Sequence, residues 1–405
     1  MQLQVVIVGG GVMGAATACF LARDHNAAVT VIERDPLYLR ASSSLSASSI
    51  RQQFSQPVNI ALSAWSMDFL RRIDGELAVP GQSVQISLVE SGYLFLATAG
   101  GEATLRQRQA TQQASGADVL LLDPEAMRLK FPWLNADDLA LGSWGRQGEG
   151  WFDGPALAAA FRRKARHCGA RFVTADVQHF QTQGDRVRAV KSACGQTLEA
   201  DALVICAGAW SGQLSMKLGV DLPVVPRKRD VFVFDSPARL VDCPLVIDPS
   251  GLWFRPEGSG YICGAPPRFG DPDEPPLHEV DLSCFEESLW PALARRIPEF
   301  AALRLRSAWA GYYEMNLFDQ NGLVGRLPGW SNLYTACGFS GHGMQQAPAV
   351  GCALAELVAA GQAEGCSVAS AATRSFLDKE RAPNVLALDP ARLASKQPLF
   401  ESAVI

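Results

Sequence analysis

Three glycines and one acid have the spacing of a site that binds a dinucleotide. Gly9, Gly11 and Gly14 form the pattern G-x-G-x-x-G within VVIVGGGVMG, and Glu33 ends the apolar run VTVIE. In such a site the first glycine makes a tight turn and the second lets the backbone approach a pyrophosphate. The third lets a helix pack closely on a strand, and the acid binds ribose hydroxyls. The alternative is a glycine-rich turn that only packs a helix against a sheet.

The residues around these glycines predict the elements that would position them. Val5–Val8 is a short β-branched run, typical of a buried parallel strand, and Val12–Arg23 follows as a helix. The amino end of that helix offers unpaired N–H groups and a positive dipole to an anion. A second strand ending at Glu33 completes a β-α-β unit. We therefore expect Val12 and Met13, at the start of the helix, to lie against the nucleotide.

Length and charge exclude several classes of protein. The chain has 405 residues, enough for two domains or one interleaved pair. Its 36 basic and 41 acidic residues give a formal net charge of −5, which argues against nucleic acid as a partner. No apolar run approaches the ~20 residues of a membrane span. The chain enters its first strand without the pattern of a signal peptide or a basic presequence, so we expect a cytoplasmic protein, either free or peripheral to the inner membrane.

The cysteines argue against a metal cluster. The chain has 10 cysteines, the last of them Cys366, and none forms a C-x-x-C pair. We expect them to be reduced, as is usual in a cytoplasmic protein, and we expect no metal site.

The rest of the chain alternates between two kinds of segment. Helices are predicted at Val58–Ile73, Ala103–Ser115, Asp123–Lys130, from Pro155, and through Val350–Ala360. Strands are predicted at Leu88–Leu96, Phe172–Val177, Val187–Lys191, Ala202–Ala207 and Leu333–Cys337. Residues 224–315 are rich in strands, proline and glycine, which is typical of an antiparallel sheet.

These segments predict an α/β fold of two domains (α+β in its two-domain arrangement). A Rossmann-like nucleotide-binding domain is interleaved with a substrate domain built on a mainly antiparallel β-sheet. We assign the nucleotide-binding domain to residues 1–85, 147–223 and 316–380, the substrate domain to 86–146 and 224–315, and a tail to 381–405.

Four motifs occur in a single order along the chain: VVIVGGGVMGAA, ERDPLYLRASSSLSASSIRQQF, VICAGAWS and GFSGHGMQQAPAVG. In these motifs the chain resembles the D-amino acid oxidase and sarcosine oxidase family of FAD enzymes. The resemblance implies that FAD lies extended across the Rossmann-like domain and that the strand-rich domain forms a substrate cavity over the flavin. It also implies oxidation of the C–N bond of a small amino acid or N-alkylated amino acid, by hydride transfer to flavin N5.

The same resemblance implies roles for four side chains in catalysis. Arg51, in SIRQQF, corresponds to an arginine that binds the substrate carboxylate through its bidentate fork. His342 either contacts the substrate or is structural. Gln345 stands where sarcosine oxidases carry a lysine, and Tyr312 stands where a cysteine forms their covalent flavin link. Tyr312 and its neighbours Tyr313 and Glu314 either line the substrate cavity or pack in a strand-end loop.

Further positions in the matched motifs are predicted to contact FAD. The backbone from Gly341 to Met344 would stabilise negative charge on the reduced flavin. The other predicted contacts are Arg34, Ser42, Ser43, Ser44, Val177, Gly208, Trp210 and Gly343.

The resemblance also bears on how FAD is attached and on the edges of the site. Neither position 312 nor the loop Ser42–Ser44 offers a cysteine or histidine for attachment, so FAD is predicted to be non-covalent. Trp253, Phe254 and Arg255 form either a wall of the site or part of a sheet core. The charge run Arg227, Lys228, Arg229 is predicted to be a solvated face outside the site.

The electron acceptor is not identified by the sequence. Oxidases of this family use a lysine to help oxygen react, and no lysine lies between Arg229 and Gln345. A dehydrogenase is therefore favoured over an oxidase. Two alternatives stay open: a flavoprotein that acts in assembly of a respiratory complex by binding partner proteins, and a 2-hydroxy acid dehydrogenase.

Overall fold

Two large β-sheets organise the described part of the protein, which in the computed structural model is residues 2–267, 270–272, 274–362 and 384–404. Cys366 and the predicted domain boundary at residues 380 and 381 lie outside these residues. The helices of one turn or more are Val12–Asp24, Ser42–Leu45, Pro57–Arg71, Ile73–Leu77, Glu102–Ala114, Pro124–Lys130, Gly154–His167, Ser211–Ser215, Leu282–Cys284, Trp290–Arg296, Gly343–Gly361 and Ala391–Ser395. A π-helical turn, Phe285–Leu289, joins two of them, and short 3-10 turns occupy Gly208–Trp210, Met216–Leu218, Pro298–Ala302 and Leu386–Leu388.

The first sheet has six strands in a Rossmann-like order. From edge to edge they are Leu323–Arg326, Leu333–Cys337, Ala202–Ile205, Gln4–Val8, Ala28–Glu33 and Arg171–Thr174. All neighbours are parallel except the first pair. The strand order reverses at Gln4–Val8, and in open α/β sheets ligands bind in the crevice at the carboxyl ends of such strands. The predicted β-α-β unit is thus present, with Val5–Val8 buried.

Helices cover this sheet and fix the start of the first helix. Val12–Asp24 packs against Gly343–Gly361 on one side and Gly154–His167 on the other. The close approach to Gly343–Gly361 depends on Gly351, because a Cβ there would lie 2.5 Å from the Cβ of Ala16. The amino end of the first helix is consequently held in place by contacts with two other helices.

The second sheet has eight strands and is mainly antiparallel, as predicted for residues 224–315. Its order is Arg304–Asn316, Val224–Asp235, Gly260–Gly264, Trp253–Glu257, Leu245–Ile247, Tyr93–Ala97, Leu141–Gly145 and Val119–Leu122. Only the pair Leu245–Ile247 and Tyr93–Ala97 is parallel in this sheet. Ser49–Ile50 pairs with Gly150–Trp151 in a two-stranded sheet.

Two of the predicted strands differ from those observed. The predicted strand Phe172–Val177 is two strands in two sheets, because the chain leaves Arg171–Thr174 and begins Val177–Gln183 after a break. Val177–Gln183 joins Arg186–Ser192 and Thr197–Glu199 in a separate antiparallel sheet. The strand predicted from Leu88 begins only at Tyr93, since Gly92 has a φ of +85° that interrupts the extended chain.

Asp-Pro and Asp-Gly-Pro sequences begin two of the helices. The Asp123 side chain accepts a hydrogen bond of 2.8 Å from the backbone N–H of Ala126, and Asp153 accepts one of 2.8 Å from Ala156. These are N-cap bonds, and a proline in the first turn follows each acid. The described residues include no helix with the length and apolar character of a membrane span.

The contact at Gly351 predicts that alanine destabilises the protein at this position, although alanine usually stabilises a helix relative to glycine. In Gly351→Ala the new Cβ would meet the backbone carbonyl carbon of Ala16 at 2.9 Å, which a rigid helix pair cannot accommodate. We expect a loss of about 1–3 kcal/mol in the free energy of unfolding. Gly75→Ala is the control, because Gly75 also lies in a helix and its new Cβ would have no neighbour within 4 Å. It should gain up to about 1 kcal/mol. Urea unfolding followed by circular dichroism measures both, and equal midpoints would contradict the packing argument.

Candidate functional site

A cleft of about 740 Å³ opens at the carboxyl end of the first strand. It passes between the amino end of helix Val12–Asp24 and the second strand of the β-α-β unit. Eleven of the predicted cofactor contacts line it: Gly9, Gly11, Val12, Met13, Glu33, Arg34, Ser42, Ser43, Val177, Gly208 and Trp210. The cleft therefore collects residues from distant parts of the chain, from Val8 to Ala336.

The three glycines play three different parts. A Cβ at Gly9, where φ is +102°, would lie 2.2 Å from the carbonyl oxygen of Cys206, and a Cβ at Gly14 would lie 1.9 Å from that of Gly9. Close packing against backbone oxygens thus requires glycine at both positions. A Cβ at Gly11 would meet only the Ser43 hydroxyl, at 3.5 Å, and would project into open cleft. Gly14 itself is not among the residues that line the cleft.

The environment of Gly11 fits a phosphate-bearing cofactor. The Ser43 hydroxyl is buried beside it and has no hydrogen-bond partner. Open backbone, the amino end of a helix and an unsatisfied hydroxyl are the groups that bind a pyrophosphate. Ser44, by contrast, does not line the cleft, and its backbone N–H donates to the carbonyl of Ala41 at 2.9 Å. The prediction for Ser44 therefore has no support in the geometry.

Glu33 is held at the cleft by two backbone donors. Its Oε2 accepts a hydrogen bond of 2.8 Å from Gly10, and its Oε1 accepts one of 2.8 Å from Asp35. Because an ionised carboxylate has about four acceptor positions, two are left for hydroxyl groups of a ligand. The far wall is formed by Trp210, whose ring lies 4.3 Å from the guanidinium carbon of Arg34.

A second cavity, of about 150 Å³, adjoins the cleft and lies between the two large sheets. The two spaces share Val12, Met13, Ser42, Ser43 and Glu314 among their lining residues. All four side chains predicted for catalysis line the cavity, as does the turn before the helix Gly343–Gly361: Arg51, Tyr312, Gly341, His342, Gly343, Met344 and Gln345. The fold thus unites the predicted cofactor contacts and the predicted catalytic residues.

Arg51 is a buried cation, only 4% exposed. Its Nη2 donates to the carbonyl of Ala403 at 2.5 Å and its Nη1 to that of Gln53. The guanidinium lies over the ring of Phe54, with 4.0 Å between the guanidinium carbon and the ring centre. Within the described residues no carboxylate lies close enough to form an ion pair with it. Burial lowers the pKa of Arg51, and the more distant carboxylates of Glu401 and Glu149 act against that shift.

Gln345 and Tyr312 are both engaged by the protein. The side-chain oxygen of Gln345 accepts a hydrogen bond of 2.8 Å from the backbone N–H of Arg51 and one of 3.3 Å from the Ser63 hydroxyl. The amide therefore braces the loop that carries Arg51. The Tyr312 hydroxyl donates to the carbonyl of Pro275 at 2.7 Å, and its ring meets Trp210 edge-on at 5.7 Å.

His342 lies in the cavity wall with its hydrogen-bonding capacity unused. The side chain is 2% exposed, and both ring nitrogens are buried without a hydrogen-bond partner. Phe54 and Phe339 pack against the ring, with centres 5.3 and 6.2 Å away. Burial lowers the pKa of His342 to about 3, so the ring is neutral near pH 7. A neutral imidazole offers one donor and one acceptor to whatever occupies the cavity.

The turn before the helix Gly343–Gly361 packs against the second sheet. Gly341 has a φ of +96°, and a Cβ there would lie 2.3 Å from the ring of Tyr313. The helix begins at Gly343, where a Cβ would lie 3.1 Å from Oε1 of Glu314. The turn therefore requires glycine at position 341 and leaves little room for a side chain at position 343.

Arg229 was placed outside the site by the sequence analysis, and that prediction is wrong. It lines the cavity, and its two terminal nitrogens bind Asp271 at 2.9 and 3.0 Å. Its guanidinium carbon lies 5.1 Å from the centre of the Tyr313 ring. In the strand Val224–Asp235 successive side chains alternate between faces, so alternation within the charge run was the signal that could have found it.

Glu314 is the other functional group whose environment only the structure reveals. It lies near the carboxyl end of the strand Arg304–Asn316 and lines both the cleft and the cavity. Burial raises its pKa to about 7, against hydrogen bonds from the backbone of Gly338 and Phe339. Glu314 can therefore hold or release a proton near neutral pH.

The three residues Trp253, Phe254 and Arg255 are divided between wall and core. Trp253 lines the cavity, whereas Phe254 is fully buried in the core beneath the second sheet. Arg255 is paired with Glu257 and donates to the carbonyl of Ala47 at 2.8 Å. Among the described residues, no group of three His, Cys, Asp or Glu side chains is arranged to hold a metal ion.

Known proteins share both the sequence and the fold. FAD-dependent oxidoreductase domain-containing protein 1 of Xenopus laevis is 41% identical over 418 aligned residues, which cover 94% of this chain and 83% of the relative. Glycine oxidase of Pseudomonas aeruginosa is 28% identical, covering 88% of this chain and 95% of that enzyme. The crystal structure of L-proline dehydrogenase from P. horikoshii has the same fold, with a TM-score of 0.81 at 24% identity, covering 98% and 99% of the two chains.

The sequence pattern of the DAO family, described as FAD dependent oxidoreductase, matches residues 4–357. That range includes both sheets, the cleft with its glycine turn, and Arg51, Tyr312, His342 and Gln345. Together with the cleft that fits a phosphate-bearing cofactor, this match establishes that the chain belongs to the DAO family of FAD-dependent oxidoreductases.

Proposed function

We propose that this protein is a dehydrogenase that oxidises the C–N bond of a small amino acid or N-alkylated amino acid with non-covalent FAD. The observation that carries the proposal is the buried guanidinium of Arg51, which has no ion-pair partner within the described residues and lies in a cavity adjoining the cleft. A substrate carboxylate supplies the missing charge. Relatives named glycine oxidase and L-proline dehydrogenase support the amino acid class.

The cleft would hold FAD through groups that the chain itself provides. The backbone at Gly11 and the Ser43 hydroxyl would face the pyrophosphate, and Glu33 would bind ribose hydroxyls. Val177 and Trp210 would line the rest of the path. Bound there, FAD supplies the acceptor for a hydride equivalent from the donor carbon.

The residues of the cavity would bind the donor and keep water out. Arg51 orients the carboxylate, and Gln345 holds the loop that carries Arg51. The neutral ring of His342 can accept a hydrogen bond from the amine without adding a repelling positive charge. An amine that binds deprotonated needs no further base: its α-carbon loses hydride, the nitrogen lone pair forms an imine, and water then hydrolyses the imine.

The dehydrogenase assignment depends on what the cavity wall lacks. No lysine occurs between Arg229 and Gln345 in the sequence, and both of these residues line the cavity. The described residues that line the cavity include no lysine either, so this part of the wall lacks the family's device for oxygen activation. A 2-hydroxy acid would present the same carboxylate to Arg51, so the donor panel below must include such acids. A protein whose main role is assembly through partner binding would bleach with none of them.

The cofactor assignment predicts a yellow protein that gives up its flavin. Acid precipitation should leave FAD in the supernatant, because Tyr312 offers no thiolate for attachment. Gly11→Val should be colourless, since its side chain would enter the space beside Ser43. Gly100→Val is the control, as its Cβ would have no neighbour within 4 Å, and it should stay yellow. Flavin in the precipitate, or full occupancy in Gly11→Val, would refute this assignment.

The Arg51 assignment predicts a selective loss of donor affinity. Arg51→Lys keeps the charge but loses the fork, and Arg51→Ala loses both. We expect the dissociation constant of the best carboxylate donor to rise roughly 30- to 150-fold, as for ~2–3 kcal/mol of charged hydrogen bonding. FAD content should be unchanged. The measurement is anaerobic bleaching of the flavin band across a panel of amines, amino acids and 2-hydroxy acids.

Arg304→Lys is the matched control for these variants, because Arg304 is exposed at the start of its strand. It should bind the donor as the wild-type protein does. Unchanged affinity in both Arg51 variants would show that Arg51 is structural. In that case the substrate class would have to be assigned afresh.

The missing lysine predicts slow reaction with oxygen. After anaerobic reduction, stopped-flow mixing with oxygen should reoxidise the flavin more slowly than turnover with an artificial electron acceptor. The same reduced protein mixed with that acceptor provides the control. Oxygen reoxidation as fast as turnover would identify an oxidase instead.

A further inference from the structure

Residues 399–404 form a segment, here called the strap, that runs from the surface to the cavity. They lie beyond residues 4–357, which the family pattern matches. At its inner end Val404 lines the cavity, and Ala403 is hydrogen-bonded to Arg51. The strap thus brings residues from outside the matched range to a cavity whose other lining residues lie inside it.

Glu401 anchors the strap by a fully buried carboxylate. Its Oε1 accepts hydrogen bonds from the backbone N–H and hydroxyl of Ser55, at 2.9 and 2.7 Å. Its Oε2 accepts from the N–H of Gln56 at 3.2 Å and from the amide of Asn59 at 2.9 Å. These donors surround the amino end of the helix Pro57–Arg71, where an anion is favourable. Burial would raise the pKa of Glu401, but these hydrogen bonds hold it below its ordinary value.

Further hydrogen bonds fasten the strap to two other parts of the protein. Asp319 accepts from the backbone N–H of Leu399 through its Oδ2 and from that of Glu401 through its carbonyl, both at 3.0 Å. Arg108 of the helix Glu102–Ala114 donates to the carbonyl of Ser402 at 2.6 Å. Hydrogen bonds therefore fix the strap along most of its length.

This path delivers a carbonyl to Arg51. The backbone N–H of Ala403 donates to Oε1 of Glu401 at 2.9 Å, which turns the chain so that the Ala403 carbonyl meets Nη2 of Arg51 at 2.5 Å. With the Gln53 carbonyl on Nη1, two of the five N–H groups of the guanidinium are occupied. Because the two carbonyls hold different terminal nitrogens, the plane of the fork is set and the remaining donors have a fixed direction.

We propose that the strap is part of the carboxylate subsite: the Ala403 carbonyl orients the Arg51 fork, Val404 limits the size of the donor, and Glu401 is the positioning residue that anchors both. This inference rests on the proposed function of Arg51. Without the strap, the guanidinium would keep its charge but lose one of the two carbonyls that orient it. A carboxylate would then have to fix the side chain on binding, which lowers its affinity.

The test uses the FAD-loaded protein and acetate as the probe, with acetamide as its uncharged analogue. Binding is followed by the change in flavin absorption and by the shift in melting temperature. Glu401→Gln should raise the dissociation constant of acetate about 10-fold, equivalent to about 1.4 kcal/mol. Glu401→Asp, which keeps the charge on a shorter arm, should recover part of that loss. Acetamide binding and FAD content should not change, whereas a merely unfolded site would lose all three.

Two further variants keep the result decisive. Glu299→Gln makes the same substitution at an exposed position of the second domain and should bind acetate as the wild-type protein does. Val404→Ala removes part of the cavity wall without touching the anchor. The ratio of the dissociation constant of butyrate to that of acetate should fall about 3-fold. This variant tests the strap even if Glu401→Gln fails to fold.

The outcomes separate this inference from the proposed function. The role of the strap would be overturned if Glu401→Gln bound acetate as tightly as the wild-type protein, or if Val404→Ala left the preference for butyrate unchanged. Loss of acetate affinity in Arg51→Ala would, in that case, still support the proposed function. Equal affinity in Arg51→Ala would instead overturn the carboxylate site itself. Selective loss of acetate in Glu401→Gln, with partial recovery in Glu401→Asp, would support the strap.

Discussion

The site is organised around a buried positive charge. Arg51 lies 4% exposed between aromatic rings and backbone carbonyls, and no acid of the described chain forms an ion pair with it. Carbonyl dipoles and the ring of Phe54 offset part of the cost of burying a guanidinium, but they carry no net negative charge. A carboxylate bound at the guanidinium, as we propose, would add a negative charge in direct contact with this cation. Contacts from Gln345, Gln53 and Ala403 keep Arg51 and its loop in place.

The loop that carries Arg51 is held from three directions. Gln345 of the helix Gly343–Gly361 accepts a hydrogen bond from the backbone of Arg51, and Glu149 accepts hydrogen bonds from the N–H groups of Gln52 and Gln53. Burial raises the pKa of Glu149 to about 7, against these same bonds. The third support comes from Ala403, at the inner end of the strap. Rigid support of this kind is what a site needs if a fork is to meet a carboxylate without further ordering.

The cleft and the cavity adjoin because two sheets with separate cores lie against each other. The cleft depends on the first sheet, whose strand order reverses beside the glycine turn. The cavity depends on the second sheet, from which Arg229, Tyr312 and Glu314 reach it. The turn at Gly341 passes between them and packs on Tyr313, so backbone without side chains is required at the junction. Membership of the DAO family explains this architecture, and the strap reaches the cavity from outside the matched residues 4–357.

Short-range patterns in the sequence determined the nucleotide-binding half of the molecule. The glycine spacing, the β-branched run and Glu33 act within one β-α-β unit, whose local geometry brings the glycine turn and the acid together at one end of the sheet. The motifs likewise predicted Arg51, His342, Gln345 and Tyr312, all of which line one cavity. Helices begun by Asp-Pro and Asp-Gly-Pro sequences were also predictable, because capping is a contact between near neighbours.

Only the tertiary structure decided which side chains meet across long distances in the chain. The position of Arg229 depends on the pairing of its strand with Arg304–Asn316, and its charge run by itself is equally typical of a solvated face. Glu401 lies about 340 residues from the helix end that binds it, so no local pattern marks it. The unused nitrogens of His342 and the raised pKa of Glu314 follow from burial, which is a property of the packed molecule. Sequence motifs therefore predicted residues that line the cleft, whereas packing determined the charges and walls of the adjoining cavity.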